Sequence, residues 1–120
     1  MQRLSESHAD TVLVNSYRLS VTRRELITLT GTNWLNDMVI NFYLQLLAHR
    51  SRQVTGMPRV TTMNTFFYPK LASSTGYAGV RRWTRSVNIF EHDLLFVPIH
   101  DRTIHWCLVV RNPTLLKLYK

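Results

Sequence analysis

The spacing of apolar residues along the chain changes from a helical period to a strand period. Between residues 34 and 49, apolar side chains recur every three or four positions: Leu35, Val39, Phe42 and Leu46. This spacing places them on one face and predicts a helix over residues 34–49. After residue 93 the apolar residues form short runs rich in strand formers, which predict two paired strands in residues 94–97 and 104–110.

Three shorter helices are also predicted, two of them from capping signals. Thr22 followed by Glu25 matches a capping box, in which a hydroxyl and a carboxylate bind free backbone N–H groups, so a helix is expected over residues 23–29. Asn64 is a candidate cap for a second short helix. A third is expected over residues 77–84, with Val80 and Trp83 directed toward a core and the neighbouring arginines toward water.

The predicted elements give helices first and strands afterwards, which is an α+β arrangement. A turn over residues 100–103 and a second turn at residues 112–113 would lead into a third strand over residues 115–119, giving an antiparallel meander. That strand reaches the C-terminus without a polar tail, and so small a sheet needs further cover. We therefore expect a loose tail over residues 1–11 and the N-terminal portion of a larger domain over residues 12–120.

The net charge of the chain favours anionic partners but does not choose among the classes of such partners. Fifteen Lys and Arg against seven Asp and Glu give a net charge of +8, which attracts polyanions such as nucleic acid or an acidic protein. The densest basic group is Arg81, Arg82 and Arg85, and a solvated helix face explains it as well. A nucleic-acid-binding domain is disfavoured because the aromatic residues fall mostly on apolar faces instead of interleaving with a basic stripe.

The pattern also argues against membrane and disulfide-rich classes. No apolar run approaches the roughly 18 to 20 residues that cross a bilayer, and the N-terminus lacks the order of a signal peptide. Cys107 is the single cysteine, so no internal disulfide can form, which is typical of a reducing compartment. We expect a soluble, intracellular protein without a cofactor.

Candidate chemistry is concentrated at the predicted hairpin: His100, His105, Trp106 and Cys107. A histidine can act as a general base, but residues 105 and 107 of one strand lie about 6 to 7 Å apart, which is unsuited to nucleophile–base geometry. Cys107 is therefore interpreted as a small core residue. A zinc site could draw on His92, His100, His105 and Cys107, but the spacing expected of zinc ligands is absent and no metal is predicted.

Six short motifs follow one another along the chain: Trp34–Leu35–Asn36–Asp37, Ile40–Asn41–Phe42–Tyr43, Asn64–Thr65–Phe66–Phe67–Tyr68–Pro69–Lys70–Leu71, Arg82–Trp83–Thr84, Val97–Pro98–Ile99–His100 and His105–Trp106. In this order, over about residues 12–120, the chain resembles the SUMO-specific (sentrin-specific) protease family. The resemblance implies a papain-like cysteine protease fold, here truncated. It also implies removal of SUMO from lysine side chains of its targets and trimming of the SUMO precursor after Gly-Gly.

The resemblance assigns roles to five residues. It makes His105 the catalytic base and Trp106 part of a lid over the diglycine, with Trp34 as the opposing wall of the tunnel. A flat aromatic slot admits a Gly-Gly strand and excludes bulkier residues. Asp37 would pair with an arginine of SUMO, and Phe66 would pack on the same surface. The implied partners are SUMO and SUMO-conjugated proteins, in the nucleus, the cytoplasm or both.

The sequence departs from the family at three catalytic groups. The family's aspartate would come a residue or two after the predicted strand 115–119, and its oxyanion-hole glutamine and nucleophilic cysteine would come later still. Cys107 matches a non-catalytic strand position, so the 120-residue chain alone is expected to be inactive. The alternatives are a non-enzymatic SUMO-binding fragment or regulator, and a basic nucleic-acid-binding domain.

Overall fold

A computed structural model describes residues 8–85, 87–101 and 105–112 of the chain. Its residues fall into two compact units, Met1–Gln45 and Leu46–Lys120. Each unit is described by itself below. In the part of the chain that the structure describes, no helix has the length and apolar character that crossing a membrane requires.

The first unit opens with a β-hairpin that the apolar pattern did not predict. Strand β1 (Val12–Ser16) pairs antiparallel with strand β2 (Leu19–Thr22). The turn residues Tyr17 and Arg18 have φ of 54° and 59°, the left-handed conformation that a tight two-residue hairpin turn requires. Neither residue is a glycine or asparagine, so the sequence lacks the usual signal for this turn. Val21 on β2 is 1% exposed and anchors the hairpin.

The predicted helix over residues 23–29 is confirmed as helix α1 (Arg23–Leu26), which continues as a 3₁₀ turn (Ile27–Leu29). Its capping box is complete. The backbone N–H of Thr22 donates to Oε2 of Glu25 at 2.7 Å, and the N–H of Glu25 donates to Oγ1 of Thr22 at 3.4 Å. This exchange satisfies two N–H groups that the first helical turn leaves open.

Only residues 8–11 of the predicted tail lie within the described part of the chain. They contact α1, since the backbone N–H of Arg24 donates to the carbonyl oxygen of Ala9 at 2.8 Å. The guanidinium of Arg24 also lies 3.1 Å from the carboxylate of Asp10, with both side chains largely exposed. The boundary at residue 11 stays a prediction.

The long helix α2 spans Asp37–Gln53, so it starts three residues later and ends four residues later than predicted. Its start is set by Asn36, whose Oδ1 accepts from the N–H of Met38 at 2.7 Å. The N–H of Asn36 donates to Oγ1 of Thr28 at 3.1 Å. A residue whose side chain caps a helix has a non-helical backbone conformation, so the residues before Asn36 lie outside the helix.

The buried face of α2 differs from the predicted stripe. Its most buried apolar residues are Val39, Leu44 and Ala48. Two positions of the predicted face are exposed instead, Leu35 and Leu46. Near the end of the helix Ser51 is buried, and its Oγ accepts from the N–H of Val60 at 3.1 Å. A serine lets the following strand approach the helix closely, which a large apolar residue would prevent.

The second unit contains a three-stranded sheet in the order β3–β4–β5. The predicted pair is confirmed as antiparallel strands β4 (Leu94–Asp101) and β5 (His105–Arg111). Strand β3 (Val60–Thr62) was not predicted, and it pairs in parallel with β4. The sheet is therefore mixed and not purely an antiparallel meander. The predicted third strand over residues 115–119 lies outside the described residues.

Two short helices connect β3 to β4. Helix α3 (Phe67–Leu71) lies where the second short helix was predicted, but its N-cap is Phe66 and not Asn64. The Oδ1 of Asn64 accepts from the N–H of Phe66 at 2.9 Å, which closes a turn just before the helix. Helix α4 (Gly76–Val80) continues as a 3₁₀ turn (Arg81–Thr84), and together they cover the helix predicted over residues 77–84. With these helices beside a sheet, the α+β class is confirmed.

Core packing within this segment depends on three side chains. The rings of Phe67 and Trp83 pack with centroids 5.7 Å apart. Val80 is 3% exposed. The predicted inward positions of Val80 and Trp83 are thus consistent with the structure, because Trp83 is half-buried.

Candidate active-site hairpin

The predicted base His105 and the neighbouring Trp106 are the first two residues of β5. The register of the sheet places them opposite the last two residues of β4: His105 faces Asp101, and Trp106 faces His100. Directly opposite side chains in an antiparallel pair have their Cβ atoms about 4.5 to 5.5 Å apart, so each can contact its partner. The hairpin end therefore brings four polar or aromatic side chains together in two cross-strand pairs.

Trp106 is held by a ring contact. Its indole stacks on the imidazole of His100 with a centroid distance of 4.3 Å and an interplanar angle of 13°. Trp106 is half-buried, whereas His100 is exposed. Near-parallel stacking at this distance is a favourable arrangement for two flat rings.

His105 lies beside a carboxylate. Its Nε2 is 3.6 Å from Oδ2 of Asp101, and the two side chains are 56% and 47% exposed. This distance is longer than a hydrogen bond, so the contact is an ion pair when the imidazole is protonated. At this exposure such a pair contributes at most about 1 kcal/mol. An open imidazole of this kind can accept a proton, which is the chemistry that a general base needs.

Asp101 was missed in the sequence analysis. The signal that could have found it is the hairpin register, in which Asp101 pairs with His105. We had instead begun the turn at residue 100, which left Asp101 in the loop. Residues 102–104 lie outside the described part of the chain.

The expectation that Cys107 is a core residue is wrong, since the structure places it as an exposed free cysteine. The cause is the position of β5 at the edge of the described sheet, where neither face is well covered. Two neighbouring apolar residues are exposed as well, Leu108 at 51% and Val110 at 49%. An apolar sequence in a strand predicts burial only if another element covers it.

The other predicted binding residues are accessible to a partner. In the first unit, Trp34 is 52% exposed and Asp37 is the first residue of α2, where its Oδ1 accepts from the N–H of Met38 at 2.9 Å. In the second unit, Phe66 precedes α3 and is 59% exposed. A carboxylate at a helix start is stabilised by the positive end of the helix dipole, so Asp37 serves the fold as well as any partner.

No metal site is evident in residues 8–85, 87–101 and 105–112. These ranges contain no group of three or more His, Cys, Asp and Glu side chains able to hold an ion. Of the weighed zinc ligands, His92 has Nδ1 3.1 Å from the carbonyl oxygen of Asn88. That contact closes a local turn within the chain.

Comparison with known proteins finds the same family that the sequence motifs resemble. Residues 33–113 match the model of the Ulp1 protease family, C-terminal catalytic domain. Sentrin-specific protease 2 of Mus musculus is 49% identical over 109 residues, which are 91% of this chain and 18% of that protein. The Sentrin-specific protease of Caenorhabditis elegans is 45% identical over 97 residues, covering 81% of this chain and 14% of that protein.

Solved structures give the same assignment. The C-terminal Ulp1 protease domain in complex with Smt3, the yeast ortholog of SUMO, superposes with a TM-score of 0.80 at 32% identity, over 92% of this chain and 48% of that one. Ulp1 with its catalytic cysteine oxidised to a sulfinic acid gives 0.78 at 30% identity, over 94% and 48%. The chain thus spans about half of these domains and under a fifth of the curated relatives. Since the family model covers most of its length, the chain belongs to the Ulp1 protease family.

Proposed function

We propose that this chain is the portion of a SUMO-specific cysteine protease domain that carries the general base and binds SUMO. The observation that carries the proposal is the family match over residues 33–113, which includes the hairpin end with His105 and Trp106. The protein that contains it would release SUMO from lysine side chains and trim its precursor, in each case after Gly-Gly. The wider partners would be SUMO and its conjugates.

In the proposed reaction His105 takes the proton of a cysteine thiol. The thiolate attacks the carbonyl carbon of the terminal glycine, and the tetrahedral intermediate collapses to a thioester as the lysine amine leaves with the proton from His105. Water then attacks the thioester, again with His105 as base, and the thiol is restored. We assign the nucleophile to the family's downstream cysteine and not to Cys107, which lies two residues from His105 on one strand.

Four further residues are proposed to bind SUMO. Trp34 and Trp106 would each contact the diglycine through an indole face, Asp37 would pair with an arginine, and Phe66 would pack on the folded body of SUMO. Their exposure supports this proposal, since Trp34 and Phe66 expose more than half of their surface. Large exposed aromatic side chains are frequent anchors of protein interfaces.

Binding is the first test of the proposal. A titration of the chain with SUMO and with ubiquitin should give a preference for SUMO, and Asp37→Lys should weaken SUMO binding. The pair lies at the rim of an interface, so we expect a loss of about 0.2 to 1 kcal/mol, more if water is excluded from it.

Glu91→Lys is the control, because it makes the same charge change at an exposed carboxylate elsewhere in the chain. It should leave SUMO affinity nearly unchanged. Equal affinity for ubiquitin and SUMO, or equal effects of the two charge reversals, would contradict the proposed recognition of SUMO through Asp37.

A further inference from the structure

The stacked pair of His100 and Trp106 is the most closely defined contact near the predicted base. The two rings lie 4.3 Å apart and are within 13° of parallel. The pairing is fixed by the sheet register, because these residues stand opposite each other on β4 and β5. Trp106 is half-buried although the next two residues of β5 are exposed, so its ring has cover that its neighbours lack.

An indole at the start of an edge strand has several staggered side-chain conformations available to it. A flat ring on the opposite strand favours the conformations in which the indole stacks on that ring. Stacked aromatic rings stabilise each other by more than the burial of their surface alone. The backbone of His100 lies in strand β4, and the β4–β5 register keeps it directly opposite Trp106. His100 is therefore placed to support the indole.

We propose that His100 is a positioning residue that sets the orientation of Trp106 and thereby the indole face that is offered to the diglycine. This inference rests on the proposed function for its substrate. A rotated indole would offer its edge in place of its face, and the extended Gly-Gly strand would lose its flat wall. His100 would thus act on specificity through Trp106, without itself performing proton transfer.

The first experiment needs no SUMO. Nuclear Overhauser spectra of the isotopically labelled 120-residue chain should show contacts between the His100 imidazole and the Trp106 indole, with one dominant indole rotamer. His100→Ala should give several rotamers, and His100→Phe should restore one. The signals of Trp83, which packs on Phe67, serve as the internal reference that each variant is folded.

The second experiment measures affinity for two forms of SUMO, one ending in the diglycine and one lacking it. His100→Ala should weaken binding of the diglycine form by about two- to tenfold, with His100→Phe within twofold of the original chain. None of the variants should change the affinity for the form without the diglycine. His8→Ala, which removes an exposed histidine elsewhere, should have no effect on either form.

The outcomes separate this inference from the function on which it rests. An unchanged Trp106 rotamer in His100→Ala, or an equal loss of affinity for both forms of SUMO, overturns the positioning role. Failure of the original chain to bind either form overturns the proposed function and the substrate part of the inference. In that case the rotamer measurement still decides whether His100 orients Trp106.

Discussion

At the end of the β4–β5 hairpin, local chemistry depends on which side chains the register brings together. His105 faces Asp101 across the sheet at 3.6 Å, while Cys107 stands opposite Ile99. The carboxylate contact is open to solvent, so it orients the imidazole weakly and contributes little to stability. The thiol has an apolar cross-strand neighbour and is exposed.

Exposure of Cys107 leads to a prediction about its reactivity. In the folded chain a water-soluble disulfide reagent should titrate one thiol without denaturant. The amount should equal that measured in urea, because the side chain is already accessible. Cys107→Ser should change the free energy of unfolding by no more than about 0.5 kcal/mol, as expected for a surface substitution. A thiol that reacts only after denaturation would contradict the exposed position.

Among the helices and strands, the elements marked by a signal in neighbouring residues were predictable from the sequence. The capping box at Thr22 was predicted from side-chain type and spacing alone, whereas Asn64 forms a turn before α3 and does not cap it. The β1–β2 hairpin was missed because Tyr17 and Arg18 adopt a left-handed turn that sequence rarely assigns to them. Strand β3 has only three residues and forms through pairing with β4, a contact that is distant in sequence.

The difference between local signals and contacts distant in sequence also explains which residues of the candidate site could be predicted. The resemblance proposes roles for His105, Trp106, Trp34, Asp37 and Phe66 because each lies inside one of the six motifs, and these roles stay predictions. The partners Asp101 and His100 depend on a cross-strand register, which sequence fixes only when the turn length is known. Burial of Cys107 was misjudged for a related reason, since it depends on what covers an edge strand.

The capping box provides a test at this scale. Thr22→Ala should lower the free energy of unfolding by about 0.5 to 2 kcal/mol, because the N–H of Glu25 loses its acceptor at the start of α1. Thr22→Ser keeps the hydroxyl and should retain most of the stability. The comparison is made by urea denaturation of the three proteins, and equal losses for Ala and Ser would show that the hydroxyl is not what stabilises the helix.

For the whole molecule, the relevant feature is the amount of apolar surface open to solvent. Large exposed apolar side chains occur in both units: Leu29, Trp34, Tyr43, Phe66, Tyr77 and Leu108. Exposure differs between the strands of the sheet, since Leu108 of β5 is 51% exposed whereas Val97 of β4 is 8% exposed. Leu108 and Val110 are two residues apart on β5 and share one face of the strand. Adjacent exposed apolar side chains of this kind mark a site where another segment packs, or a risk of aggregation.

The isolated chain should therefore be marginally stable and prone to association. We expect Leu108→Lys to reduce aggregation, measured by light scattering during heating, without lowering the unfolding midpoint, because Leu108 is half exposed. Val97→Lys is the matched change at a buried position of the neighbouring strand and should unfold the chain. A cooperative monomeric melt of the original chain well above about 60 °C would contradict this view of its stability.

The central claim is that His105 is the base of a SUMO protease whose nucleophile is not Cys107. The direct measurement is the rate at which a fluorogenic SUMO substrate is cleaved by this chain joined to the C-terminal half of the catalytic domain of mouse Sentrin-specific protease 2. We predict cleavage by the joined protein, a fall of at least about 10²-fold with His105→Ala, and no loss with Cys107→Ser. Cleavage by the 120-residue chain alone that disappears with Cys107→Ser would contradict the account.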